Sequence, residues 1–194
     1  MIAGVLLAAG GARRFGSQKL VVPLGGMAVV RRAAIALAPH VDELTVVVGW
    51  EADAVRAALA GVDARVVENA AWNDGLSTSL RAGIASLPAS ADAALIALGD
   101  QPAVDTMVFA RLLEQWREGS LPIVAARYRG VVAPPVLLHR SIFGEVGQLE
   151  GDTGARPIIQ RDPTRVAFVD FGEAPPLDVD TVADLQVLDR TCDA

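Results

Sequence analysis

Short apolar runs rich in β-branched residues recur along this chain, separated by longer Ala/Leu/Arg stretches, and that alternation constrains the fold more than any other feature. Val5 to Ala8, Leu44 to Val48, Ala64 to Glu68, Ala93 to Leu98, Ile123 to Ala126 and Val166 to Phe171 read as strands. They are apolar nearly throughout, as strands buried on both faces are. Helical periodicity falls between them, at about Val29 to Ala38, Ala52 to Ala60, Ser77 to Leu87 and Val104 to Glu118, with a closing helix over Thr181 to Arg190. Strand and helix in alternation predict an α/β fold, with a mostly parallel sheet covered by helices on both faces. No linker, repeat or low-complexity tract interrupts the pattern, and 194 residues suit a single domain over 1–194.

Composition removes several classes of function. Hydrophobic residues make up 52% of the chain, too many for disorder. A net charge of −6 argues against a nucleic-acid binder, which would carry a basic face. No apolar run approaches the ~18 residues that a membrane span needs. The opening MIAGVLLAAGG lacks a basic leader and runs straight into a Gly/Arg loop, so it is expected to be a core strand and not a signal peptide. One cysteine, Cys192, leaves no internal disulfide framework and no multi-cysteine metal site, and a free thiol in a cytoplasmic protein is the expectation.

Ligands of doubly wound sheets bind in the crevice beyond the carboxyl ends of the strands, so the loops that follow strands carry the information. After the first strand, the stretch from Ala9 to Lys19 holds Gly10, Gly11, Gly16, Arg13, Arg14 and Lys19. Glycines let backbone N–H groups close on an anion, and Arg14 and Lys19 add positive charge for phosphates. Neither common phosphate motif fits. Gly11 to Gly16 has the P-loop spacing, but Ser17 follows and Lys19 comes two positions late, and no Gly-x-Gly-x-x-Gly is present. An Arg-rich surface loop is the alternative. Of the 17 cationic side chains, 16 are arginine and Lys19 is the sole lysine. A compact ammonium suits a triphosphate as a point charge.

Gly99-Asp100-Gln101-Pro102 follows the fourth strand and is expected on the same rim as Lys19. A carboxylate there is placed to hold Mg²⁺, a hard ion that bridges nucleotide phosphates; an acidic residue in an ordinary turn is the other reading. Asp178, Asp180 and Asp184 precede and enter the last helix. Asp180 is the candidate second metal ligand. Asp180 or Thr181 could instead be the N-cap, with Asp184 favoured in the first turn by the helix dipole, and for Asp178 and Asp184 such a structural role reads equally well. His40 and His139 lie in no motif and are expected to be packing or surface residues. Trp116 reads as core, and Trp72, beside Asn73, as a wall of a ligand pocket.

Leu7-Ala8-Ala9-Gly10-x-x-x-Arg14-Phe15-Gly16-x-x-Lys19-Leu20, followed by Pro23-Leu24, resembles the signature of nucleotidyltransferases with a MobA-like NTP-transferase domain, nearest the molybdenum cofactor cytidylyltransferase branch. The segments Asn73-x-Gly75-Leu76-Ser77-x-Ser79-Leu80, Gly99 to Pro102, Gly151-Asp152-x-Gly154-Ala155-Arg156 and Asp178-x-Asp180-Thr181 resemble further family motifs in order. Two departures stand out. Ala12 occupies a position where the family usually carries Ser. Ala133-Pro134-Pro135-Val136-Leu137-Leu138 replaces a Gly-His-Pro variant, which bears on the identity of the acceptor.

The resemblance implies a Rossmann-like three-layer sandwich of the nucleotide-diphospho-sugar transferase type. Its N-terminal half, about 1–100, would bind nucleotide, and its second half, about 101–194, the acceptor. It further implies Mg²⁺-dependent transfer of a nucleoside monophosphate to a phosphate-bearing acceptor, molybdopterin first, with release of pyrophosphate. A molybdoenzyme or its chaperone would be the protein partner. Arg14, Lys19 and Asp100 would be catalytic. Leu7, Ala8, Ala9, Gly10, Gly11, Arg14, Lys19, Asn73, Gly75, Ser77 and Ser79 would bind nucleotide, with helix capping the competing role for Asn73 and Ser77. Asp152 and Arg156 would face the acceptor, an Asp–Arg structural pair being the alternative, and Asp100 and Asp180 would hold the metal. Among relatives Leu-Ala-Ala-Gly goes with cytidine nucleotides and Leu-Ala-Gly-Gly with guanosine, so Ala9 points to CTP. Two other readings stay open: a guanylyl- or other nucleotidyltransferase acting on a sugar phosphate or small phospho-acid, and a nucleotide-binding module without catalysis.

Overall fold

Alternating side chains along the first strand set the layering. In the computed structural model, which describes residues 1–11 and 15–192, strand β1 (Ile2–Ala8) directs Leu6 and Ala8 into one apolar layer and Val5 and Leu7 into the other. A small antiparallel hairpin, β2 (Pro23–Leu24) and β3 (Met27–Ala28), then leads into helix α1 (Val29–Leu37). Next come β4 (Glu43–Val48), α2 (Ala52–Ala58), β5 (Arg65–Glu68), α3 (Leu76–Ala85) and β6 (Ala93–Leu98). The second half holds α4 (Thr106–Glu118), β7 (Ile123–Tyr128), β8 (Val131–His139), α5 (Phe143–Val146), α6 (Arg156–Arg161), β9 (Val166–Phe171) and α7 (Val182–Cys192).

Seven strands form one sheet in the order β5-β4-β1-β6-β8-β7-β9. Helices α1 and α4, with Val55 of α2 and Leu188 of α7, bury their apolar stripes on one face. Helices α3, α5 and α6 cover the other through Leu80, Ile84, Val146, Ile158 and Ile159. The fold is therefore the expected α/β sandwich with a mostly parallel sheet. Boundaries moved by up to three residues, as at α4, which starts at Thr106 because the Asp105 carboxylate caps it by accepting from Met107 N at 2.8 Å.

Strand β8 was not foreseen. It lies between β6 and β7 and runs antiparallel to both, among strands that otherwise pair in parallel. Pro134 and Pro135 disguise it, because proline donates nothing to a ladder and demotes a run as a strand candidate. The structure resolves the conflict locally. Val136 to His139 pair with β6, Val131 and Val132 pair with β7, and the register on β7 shifts between Ala125 and Arg127. The prolines fall inside that irregularity, where no ladder bond is asked of them.

Candidate functional site

From β1 the chain builds outward through β4 to β5, then returns to lay β6 on the other side of β1. The crevice beyond the carboxyl ends of β1 and β6 is thus the switch point at which such sheets bind ligands. A cleft of about 570 Å³ opens there, lined by Gly10 and Gly11, Lys19, residues 72–76, Asp152 and Asp180.

Lys19 organises the inner end. It opens a 3-10 turn (Lys19–Val21) and is only 8% exposed. Buried Gln18 fixes its direction: the Gln18 side chain accepts from Leu20 N and donates to Trp50 O at 2.7 Å, pinning the end of the glycine loop to the exit of β4. Lys19 Nζ then donates to Asp100 Oδ2 and Asp180 Oδ1, each at 2.8 Å. Burial pulls the ammonium toward deprotonation, but the two carboxylates outweigh it and hold Lys19 above the usual lysine value. The sequence reading set Lys19 against phosphates and the two acids around a metal; the structure instead unites all three in one ion triad. The 178–180 segment is tied to the turn after β6 by two further bonds. Val179 N donates to Asp100 O at 2.9 Å, and Gln101 Nε2 to Asp178 Oδ1 at 2.8 Å. Desolvation pushes the Asp178 carboxyl upward, Asp100 and Asp180 adding to it and the Gln101 bond opposing.

Asp184 takes the capping role. Its Oδ2 accepts from Asp180 N, Thr181 N and Thr181 Oγ1, while Asp184 N donates back to the Thr181 hydroxyl. This reciprocal arrangement is a capping box at the start of α7.

The outer wall rests on α3. Gly75 has φ of +108°, and a Cβ there would stand 2.4 Å from the Gly151 carbonyl, so only glycine lets the two loops touch. Across that contact Gly151 O accepts from Ser77 N at 3.2 Å and Asp152 Oδ1 from Leu76 N at 3.3 Å. The 151–152 loop thereby satisfies two of the unpaired N–H groups at the start of α3. Asp152, expected on the acceptor side, therefore also caps the helix of the nucleotide side. Arg156 is exposed and pairs with no acid among the described residues, so the Asp152–Arg156 pair is not formed. Trp72 lies along Gly11, its ring 3.0 Å from where a Cβ would be, and with Asn73 and Leu76 forms the broad wall of the cleft.

Several expected contacts change place. Ser77 and Ser79 are buried and leave the cleft surface to Asn73 and Gly75. Ser79 Oγ accepts from Asn69 Nδ2, which also reaches Thr78 Oγ1, while Asn69 Oδ1 accepts from Ala71 N. Asn69 had no assigned role, although an Asn just past a strand end is a turn signal. Leu7, Ala8 and Ala9 turn their side chains into the core, with Leu7 O accepting from Gly99 N and Ala9 O from Trp50 N, so the surface of the loop belongs to Gly10 and Gly11. Ala12, Arg13 and Arg14 lie outside the described residues, and with them the expectation for Arg14. So does the Cys192 side chain. His40 packs on Phe109 and His139 on Trp116, both away from the cleft lining.

A glycine-rich turn, a lysine and two carboxylates gather at the switch point of a mostly parallel sheet, where such folds bind their ligands, and solved structures of this architecture include a nucleotidyl transferase. Comparison agrees. Residues 4–166 match the MobA-like NTP transferase domain, and the chain belongs to that family. Over 93% of both chains it is 33% identical to a protein named nicotine blue oxidoreductase from Paenarthrobacter nicotinovorans. It is also 33% identical to a probable molybdenum cofactor guanylyltransferase from Haloferax mediterranei, over 76% of this chain and 70% of that one. Among solved structures, Rv0371c from Mycobacterium tuberculosis H37Rv superposes with a TM-score of 0.82 at 33% identity, covering 97% of each chain, and its complex with manganese has also been determined. A nucleotidyl transferase from Methanothermobacter thermautotroptrophicus (Mth528) superposes at 0.84 with 26% identity, covering 100% of this chain and 98% of that one.

Proposed function

We propose that this chain transfers a nucleoside monophosphate from a nucleoside triphosphate, CTP in the first instance, to a phosphate-bearing acceptor of the molybdopterin type, with release of pyrophosphate. The observation that carries the reading is the convergence of Asp100 and Asp180 on one cation beside Gly10 and Gly11. Two carboxylate oxygens that already share an ammonium suit a hard divalent ion such as Mg²⁺, whose remaining positions would be left to phosphate oxygens and water. Among the described residues no third acidic or imidazole group joins them to form a closed cage, which fits an ion bound jointly with substrate. When bound, the ion neutralises charge that develops on the phosphates.

The chain's own part is alignment. Gly10 and Gly11 present backbone to the triphosphate, and Trp72, Asn73 and Leu76 hold the nucleoside against the α3 wall. An acceptor phosphate oxygen attacks the α-phosphorus in line, and the bond to the β-phosphate bridging oxygen breaks. An acceptor phosphate is ionised near neutral pH, so no general base is needed, and positioning with electrostatic stabilisation accounts for the rate. Lys19, moving from the carboxylate pair to the leaving pyrophosphate, supplies the compact charge there. Ala9, in place of a second glycine, is the basis for CTP over the GTP that the name of the Haloferax relative implies.

The test is pyrophosphate release with Mg²⁺ and an acceptor panel spanning molybdopterin, sugar phosphates and small phospho-acids, each with CTP and GTP. Turnover with CTP and molybdopterin is expected. Preference for GTP overturns the reading of Ala9, and nucleotide binding without turnover on any acceptor makes the chain a binding module. The match to nicotine blue oxidoreductase over 93% of each chain favours a second reading, a reductase in which the same loop holds a pyridine dinucleotide. Oxidation of NADH or NADPH by the purified protein with a quinonoid dye, without pyrophosphate release in the first assay, would decide for it.

A further inference from the structure

Gln101 is 4% exposed and makes one side-chain hydrogen bond, from Nε2 to Asp178 Oδ1 at 2.8 Å. A carboxylate only accepts, so the amide nitrogen must face Asp178 and the amide oxygen must face away. That oxygen is buried and, among the described residues, has no hydrogen-bond partner. A buried acceptor left without a donor costs stability, and a plain apolar side chain of the same length would avoid the cost. Packing alone therefore does not account for a glutamine at this position.

Its surroundings indicate the use. Asp100, beside Gln101, and Asp180, two residues past Asp178, are the two acids that converge on Lys19. They reach the site on segments far apart in the chain: Asp100 on the turn after β6, Asp180 on the segment between β9 and α7. Two bonds sew that segment to the turn, Val179 N to Asp100 O and Gln101 to Asp178. The backbone bond fixes the height of the segment, and the side-chain bond, one residue to the other side of Val179 from Asp180, stops it from rotating about that single point. We infer that Gln101 and Asp178 are positioning residues, a latch that sets the spacing of the Asp100 and Asp180 carboxylates for a divalent cation. The inference rests on the metal reading given above. Supporting groups of this kind, which hold the ligands without touching the ion, typically change metal affinity 10–100-fold when removed.

Mn²⁺ is the probe, with free ion measured by electron paramagnetic resonance in the presence of CTP and the metal-free thermal midpoint measured in parallel. Gln101→Met removes the amide and its orphaned oxygen together. A 10–100-fold weaker Mn²⁺ affinity is expected, with a midpoint unchanged or higher. A residue that served only the fold would lower the midpoint instead. Asp178 is exposed, so its variants keep the fold available for the test. Asp178→Ala should reproduce the loss seen for Gln101→Met, the double variant should add little, and Asp178→Asn, whose amide oxygen still accepts from Gln101, should bind Mn²⁺ within about threefold of wild type. Asp100→Asn serves as the control for the underlying reading. If it abolishes Mn²⁺ binding while Gln101→Met and Asp178→Ala bind normally, the latch is wrong and the metal site stands. Wild-type protein that binds no Mn²⁺, or Asp100→Asn that binds as wild type does, overturns both.

Discussion

Lys19 is held by two acids at once, which gives its removal two separable consequences. Charge aimed at the developing transition state is worth about 10²–10³ in rate per donor, and Lys19→Ala should lose turnover of that order. Without the ammonium, Asp100 and Asp180 also face each other with nothing between them. Asp100 is 25% and Asp180 44% exposed at the side chain, so solvent screens part of the repulsion, and we expect a loss of about 1–2 kcal/mol in metal-free protein. A divalent cation restores the missing charge. Thermal denaturation should therefore show a larger Mg²⁺-dependent rise for Lys19→Ala than for wild type, and equal rises would separate Lys19 from the cation's position. Much of this was readable from residues alone: a lone lysine at the end of a glycine loop and Asp100 at a strand exit already suggested one rim, and Asp180, before the last helix, was the candidate second ligand. Their direct pairing was not readable, because only the fold decides that positions 81 and 161 residues from Lys19 along the chain come within hydrogen-bond reach. Ser77 and Ser79 went astray for a related reason. A serine in the first turn of a helix faces either the ligand or the sheet, and a shift of one position around the helix exchanges the two.

Helix α3 is the element that sets the width of the cleft, and Gly83 sets its distance from the sheet. A Cβ on Gly83 would stand 2.5 Å from Val5 Cγ1 and 3.1 Å from Val47 Cγ2. Gly83→Ala gains about 1 kcal/mol of helix propensity but overpacks this contact at a cost of about 1–3 kcal/mol. A lower urea midpoint is the expected net result, and an unchanged or higher midpoint would show that α3 can retreat from β1 freely. Helix α5 is secured differently. Glu145 takes both terminal nitrogens of Arg165, at 2.6 and 2.9 Å, tying α5 to the turn before β9. The Arg165 bonds hold the Glu145 carboxyl below the usual value of 4.5. The pair's contribution is thus complete above pH 4.5 and fades as pH falls through the lower folded value. Glu145→Gln should be less stable than wild type at pH 7, with the gap closing in acid, which urea titrations at both pH values can measure. Periodicity located α3, α4 and the parallel strands to within two or three residues, because burial on both faces leaves a continuous apolar signature. It failed at β8, where proline chemistry spoke against a strand and the break in the β7 register made room for one.

At the scale of the whole molecule, ligand binding and folding should be coupled. Nucleotide with Mg²⁺ at about 100 times its dissociation constant is expected to add about 2.7 kcal/mol to stability, read as a rise in the thermal midpoint that scales with the logarithm of concentration. CTP should raise it more than GTP, ATP or UTP. Among the described residues no helix is long and apolar enough to cross a membrane. The Lys19 triad adds a condition of its own. Its three members lie on the turn after β1, the turn after β6 and the segment entering α7, and no two of them are neighbours in the chain. A fragment that ends before Asp180 cannot assemble it. A chain still emerging from the ribosome, or one clipped after β9, would own a nearly complete sheet and still lack an acid from its site. Nucleotide and metal would then select finished molecules from unfinished ones, and the ligand itself would act as the inspector of the fold.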